Sequence, residues 1–105
     1  MKGKLVKIDV SATAKKLLGK WLADLKRVGG HKGHTEINVG DENNAEIIIE
    51  TDIGLWLADT MTTDLSKVKY AKVTGVTQYP GHFDWKADTY IKDAVVLHFS
   101  MHPTF

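Results

Sequence analysis

The chain contains no cysteine, only two prolines and no long apolar run, and each absence narrows what it can be. Without cysteine it can have no disulfide, no thiolate metal ligand and no cysteine nucleophile. Apolar stretches such as residues 55–58 span only a few residues, far short of the roughly 20 that a membrane-spanning helix needs. We therefore predict no membrane association. Because small secreted domains often carry disulfides, we expect a cytoplasmic location.

What the chain does contain is typical of one globular domain. It has 105 residues, of which 43% are hydrophobic and 26% charged, with three each of Trp, Tyr and Phe. That is enough apolar area to offset the entropy of ordering the chain, and the length suits one core. We therefore predict a single α+β domain over residues 1–105.

The net charge of +1 hides a segregation of charge along the sequence. Residues 1–34 hold nine Lys or Arg against two acids, a net of +7, whereas residues 35–105 hold five Lys against eleven acids, a net of −6. Such segregation indicates either an interaction surface or internal pairing between the two parts. It also permits self-association into a homo-oligomer.

The clearest local pattern predicts a helix over residues 13–28. Its apolar residues recur every three or four positions and form one stripe. Ser11 or Thr13 is expected to cap the start, and Gly29 is expected to end the helix in the left-handed conformation.

Alternation of apolar and polar residues, with β-branched enrichment, predicts strands over residues 4–10, 35–39, 45–50, 69–79 and 94–101. Gly75 is expected to mark a bulge in the fourth of these. Residues 31–34 and 80–89 are expected to be loops, and residues 53–68 fit either a strand or a helical turn. The simplest assembly is one mostly antiparallel sheet of about four to six strands, flat or curled, with a single N-terminal helix packed on one face.

Three candidate sites follow, and the first is the basic side of the helix. Lys16, Lys20 and Arg27 are near neighbours at helical spacing and would suit nucleic-acid phosphates. Only one of the fourteen cations is Arg, which disfavours base-specific recognition. The alternative interpretation is a solvated helix side whose cations pair with acids from the later part of the chain.

The second candidate is the segment from residue 79 to residue 85, which combines three aromatics, a histidine and a carboxylate. His82, Phe83, Asp84 and Trp85 belong to it, and aromatic residues on loops are frequent anchors of protein interfaces. The alternative is a segment folded back to complete the core.

The third candidate is His98, which the alternation of the last strand places on its polar side. A metal site of His82, Asp84 and His98 would require the loop to fold over that strand, and zinc needs at least three protein ligands. No nucleotide-binding motif is present. We therefore predict no cofactor and no metal, and assign no catalytic residue.

These observations favour a small non-enzymatic binding or regulatory protein that contacts a protein partner. The aromatic segment or the histidine-bearing sheet face would form the contact, with the basic helix side as a second surface. One alternative is a nucleic-acid-binding protein using the basic helix. Another is a small metal-assisted or acid–base enzyme around His82, Asp84 and His98.

Overall fold

A computed structural model describes residues 8–40, 43–91 and 93–105, except for the side chains of residues 31, 32, 82–84 and 89–91. Two helices and six strands occupy this part of the chain. In order they are α1 (Val10–Val28), β1 (His31–Val39), β2 (Asn44–Thr51), α2 (Gly54–Leu65), β3 (Ala71–Tyr79), β4 (His82–Asp84), β5 (Thr89–Ile91) and β6 (Ala94–Met101).

Helix α1 starts earlier than its predicted boundary at residue 13. Its N-cap is Asp9, whose Oδ1 accepts a hydrogen bond from Ala12 N at 3.0 Å, so the expectation of Ser11 or Thr13 as the cap was wrong. Asp caps a helix as well as Ser does. The earlier start adds Val10, which is buried, to the apolar stripe as its first member.

The predicted strand over residues 4–10 is wrong at residues 8–10, which form no strand. Residues 4–7 lie outside the described residues, and Val10 is already helical. Apolar residues at positions 6, 8 and 10 have the period of two that predicts a strand. In the structure Val10 instead belongs to the helical stripe, because Val10 and Ala14 are both buried and lie one helical turn apart.

The predicted end of α1 is confirmed. Gly29 is left-handed with φ 78°, and Gly30 N donates to Leu25 O at 2.8 Å, which closes the last turn. A Cβ on Gly30 would collide with the Ile53 side chain, so a larger residue there would have to displace Ile53.

The predicted fold class is confirmed, with β1, β2, β6 and β3 side by side in that order and every neighbouring pair antiparallel. The predicted strands over residues 35–39 and 45–50 lie within β1 and β2, which pair with Val39 opposite Ala45. Strands β4 and β5 pair only with each other in the described part of the chain. They lie within residues 80–89 and just beyond, where a loop was predicted.

Both outer strands of the sheet carry an irregularity in their pairing. In β3 it lies between Val73 and Gly75, which confirms the predicted bulge. In β1 it lies between His31 and Thr35, within the segment predicted as a loop. That segment is strand instead, and the bulge explains why its side-chain pattern does not alternate. Bulged edges resist pairing with the edge of another sheet.

The expectation of a single helix was wrong, because residues 54–65 form α2. Leu57, Met61 and Leu65 are fully buried and lie one helical turn apart. The helix lacks the usual start signal, since Ile53 at its N-cap makes no side-chain capping bond. It also lacks a glycine stop, since Ser66 at its end is in the ordinary helical conformation.

Both helices pack on the same face of the sheet, and a partly buried hydrogen bond joins them. Trp21 of α1 is fully buried, and its Nε1 donates to Asp64 Oδ2 of α2 at 2.8 Å. Thr51 at the end of β2 donates through Oγ1 to Gly30 O at 2.5 Å and accepts from Ile53 N at 3.2 Å. These bonds fix both helices relative to β2, and no helix of the described residues covers the opposite sheet face.

We expect Asp64→Ala to lower the free energy of unfolding by about 1–3 kcal/mol, because it leaves the buried Trp21 N–H without an acceptor. Asp64→Asn keeps an acceptor oxygen and should be less destabilising. The matched control is Asp59→Ala, at an exposed position of the same helix, with an expected change within about 0.5 kcal/mol. Urea unfolding followed by tryptophan fluorescence measures all three variants. Equal losses for Asp64→Ala and Asp59→Ala would contradict the role of this bond.

Candidate functional site

The segment predicted as an aromatic loop is a short β-hairpin, here called the hairpin arm (residues 82–91). His82 pairs with Ile91 and Asp84 pairs with Thr89, and residues 85–88 form the turn. Trp85 in that turn is 84% exposed. In the described part of the chain, β4 and β5 make substantial contact only with each other. The described backbone of the arm therefore packs little against the core.

Three of the predicted binding residues, His82, Phe83 and Asp84, have side chains that lie outside the described residues. Their backbone forms β4 of the hairpin arm. Among the four residues of the predicted aromatic site, only Trp85 has a described side chain.

A cavity of about 270 Å³ lies at the base of the hairpin arm, beside the start of α2. Leu55 and Tyr79 line it and are 77% and 54% exposed. Its polar lining includes Asp52, Gln78 and Asp93. The Asp93 carboxylate accepts a hydrogen bond from the Gly81 backbone N–H and so fixes the point where the arm leaves β3. Sequence reasoning missed Leu55, because α2 was not recognised.

The sheet face away from the helices carries a chain of polar contacts across three strands. His98 of β6 is exposed as predicted, and its Nε2 lies 2.8 Å from Glu46 Oε2 of β2. Asn38 Nδ2 donates to Glu46 Oε1 at 2.9 Å and to Glu36 Oε2 at 2.7 Å. His34 Nε2 lies 3.1 Å from Glu36 Oε1. Hydrogen bonds from Asn38 and His34 lower the pKa of Glu36.

An open concavity of about 430 Å³ adjoins this polar chain, with Glu46, His98 and Thr74 among its lining residues. Both oxygens of Glu46 are occupied within the chain of contacts, by Asn38 and His98. The arrangement orders the side chains of the open face. His98 is thus oriented by Glu46, a partner that sequence reasoning did not identify.

The basic side of α1 is largely paired with acids. Lys20 Nζ lies 2.8 Å from Asp24 Oδ2 and 2.8 Å from Asp64 Oδ2, and Arg27 lies 3.5 Å from Asp24. Hydrogen bonds to Asp24 and Asp64 raise the pKa of Lys20. Lys16 is exposed beside a mostly apolar groove of about 220 Å³. Two of the three predicted cations therefore have a carboxylate partner, and the three do not form an unpaired cluster.

Within residues 8–40, 43–91 and 93–105, no three His, Asp or Glu side chains are grouped so that they could hold a metal ion. The side chains of His82 and Asp84 lie outside the described residues. Neither helix of the described chain is long and apolar enough to cross a membrane.

Comparisons with known proteins give no relative. No family model, no curated protein and no solved structure matches the chain. The function must therefore be argued from this chain's own surfaces.

The carboxylates that pair with α1 give a prediction for acid stability. Partial burial alone would raise the pKa of Asp64, but hydrogen bonds from Lys20 and Trp21 outweigh it and lower that pKa. The hydrogen bond from Lys20 lowers the pKa of Asp24. Lowered carboxyl pKa values stabilise the fold above the ordinary aspartate value of about 3.9, and this stabilisation is lost as pH falls through the lowered values.

We therefore expect the free energy of unfolding to fall between about pH 5 and pH 2, and to fall less steeply in Asp64→Asn, which cannot ionise. Urea midpoints across this range, measured for both proteins, give the two slopes. The same slope in Asp64→Asn as in the unmodified chain would contradict this account of Asp64.

Proposed function

We propose that the chain is a small non-enzymatic binding protein that engages a protein partner through its hairpin arm and the apolar surface at the arm's base. The observation that carries the proposal is the 84% exposure of Trp85 in the turn of the arm, which packs little against the body.

Two physical arguments support a protein partner. An isolated two-stranded hairpin is only marginally stable in water, so this arm gains most from a surface that packs against it. Tryptophan also combines a large apolar area with one N–H donor, and it is enriched among the residues that dominate interface energies. Leu55 and Tyr79, both more than half exposed, extend the apolar surface at the base.

The alternatives have weaker support from the described side chains. Nucleic-acid binding depended on Lys16, Lys20 and Arg27 together, but Lys20 and Arg27 are paired with Asp24 and Asp64. The enzyme hypothesis depended on Asp84 meeting His98, whereas the carboxylate beside His98 is that of Glu46. The turn of the arm carries one cation, Lys86, and one anion, Asp88. It therefore has no net positive charge to attract the phosphates of a nucleic acid.

The test is affinity capture from a lysate of the source cells, treated with nuclease, with quantitative mass spectrometry. We expect a defined protein to be retained by the unmodified chain and to fall at least about tenfold with Trp85→Ser, the effect of losing an interface anchor worth about 1.4 kcal/mol or more. The matched control is Phe105→Ser, which removes a 51% exposed aromatic beyond the opposite end of β6 and should retain the partner.

Circular dichroism should confirm that all three proteins are folded. Recovery that disappears after nuclease treatment, that is unchanged by Trp85→Ser, or that yields no specific protein at all would contradict the proposal.

A further inference from the structure

We propose that the groove between α1 and the connection from α2 to β3 is a second protein-binding site, which takes an apolar side chain from an acidic segment of a partner protein. The groove has a volume of about 220 Å³ and is lined by Thr13, Lys16, Leu17, Lys20 and Val68. It is separate from the hairpin arm, because Val68 follows the end of α2 whereas the cavity at the base of the arm adjoins the start of that helix. The inference does not rest on the proposed function.

Helical spacing places the four α1 residues of the groove along one side of the helix. Positions 13, 16, 17 and 20 are three or four residues apart, so their side chains are neighbours. Val68 forms the facing wall, packs against the core, and is held in a turn by the bond from its N–H to Leu65 O at 3.0 Å. Most of the lining is apolar, so the groove favours an apolar group.

The volume of the groove suits a single side chain. At about 30 Å³ per water molecule, 220 Å³ equals about seven waters, and a phenylalanine side chain has about as many carbon atoms. The acyl chain of a membrane lipid has many more carbons than that. Thr13 adds a hydroxyl group to the lining, and a hydroxyl can both donate to and accept from a peptide backbone.

The excess charge around the groove is positive. Lys16 is exposed on the α1 wall, and Lys67 and Lys69 are exposed on either side of Val68 in the sequence. In the described part of the chain, none of these three lysines forms an ion pair. Lys69 Nζ lies 5.1 Å from the centre of the Tyr70 ring, a contact that leaves its charge without a carboxylate.

An acidic protein segment matches both the apolar lining and the positive charge. Its apolar side chain would fill the groove while the neighbouring carboxylates face the lysines. A nucleic acid would match the charge but not the lining, because phosphates require hydrogen-bond donors and the side chains of Leu17 and Val68 have none. The chain's own residues 1–7 do not match the charge, since they contain Lys2, Lys4 and Lys7 and no acid.

Fluorescence anisotropy of the full chain with a labelled short peptide tests the site, using a probe with one central phenylalanine flanked on both sides by aspartate and glutamate. At about 0.15 M salt we expect the probe to bind, and its affinity to fall at least about tenfold with Lys16→Glu. Replacing the phenylalanine of the probe by alanine should weaken binding to a similar extent. The matched control is Lys26→Glu, which reverses a charge at an exposed position of the same helix outside the groove and should change the affinity less than about twofold.

An acidic probe that does not bind, or that Lys16→Glu leaves unaffected, would overturn the inference. Tighter binding of a labelled single-stranded oligonucleotide would also overturn it, because the lysines would then serve a nucleic acid. So would self-association of the chain that Lys16→Glu abolishes, because a second copy would then occupy the groove. Trp85→Ser should bind the probe as the unmodified chain does, so failure of this site and failure of the hairpin arm are seen in different variants.

Discussion

The hydrogen bond from the buried Trp21 indole to Asp64 is the constraint on which the rest of the structure depends. It ties α1 to α2 on one face of the sheet, because a buried indole N–H needs a hydrogen-bond acceptor and Asp64 supplies it. The same carboxylate binds Lys20, so the acid that holds the helices together also neutralises part of the basic helix. With both helices on one face, neither covers the other face of the sheet. The hairpin arm at one end of the sheet is left uncovered by them.

The sequence predicted those elements whose signals are local. The apolar stripe and Gly29 identified α1, and alternation identified β2, β3 and β6. Helix α2 was missed because Ile53 provides no capping side chain and no glycine ends the helix, so its short apolar run resembled a strand. The start of β1 was missed because a bulge interrupts its alternation. In both cases tertiary packing stabilises the element, and the local sequence propensity carries no information about that packing.

The candidate site likewise combines features that the sequence predicted with contacts that only the fold creates. Composition identified the aromatic segment around Trp85, and the alternation of the last strand identified the exposed side of His98. No sequence pattern could bring Glu46 to His98, since 52 residues separate them and only the register of β2 with β6 makes them neighbours. The pairing of Lys20 with Asp64, 44 residues away, depends in the same way on helix packing. The segregation of charge along the chain could therefore be predicted from the sequence, whereas the pairing of basic with acidic side chains in the fold could not.

The central claim is that a protein partner covers the hairpin arm, and hydrogen exchange with and without the protein recovered by affinity capture tests it most directly. The pairs between β4 and β5 supply backbone amides to follow. The arm should exchange rapidly in the chain alone and become protected when the captured protein is added, while the amides of β2 and β6 stay unchanged. Exchange of the arm that is the same with and without the captured protein would contradict the claim.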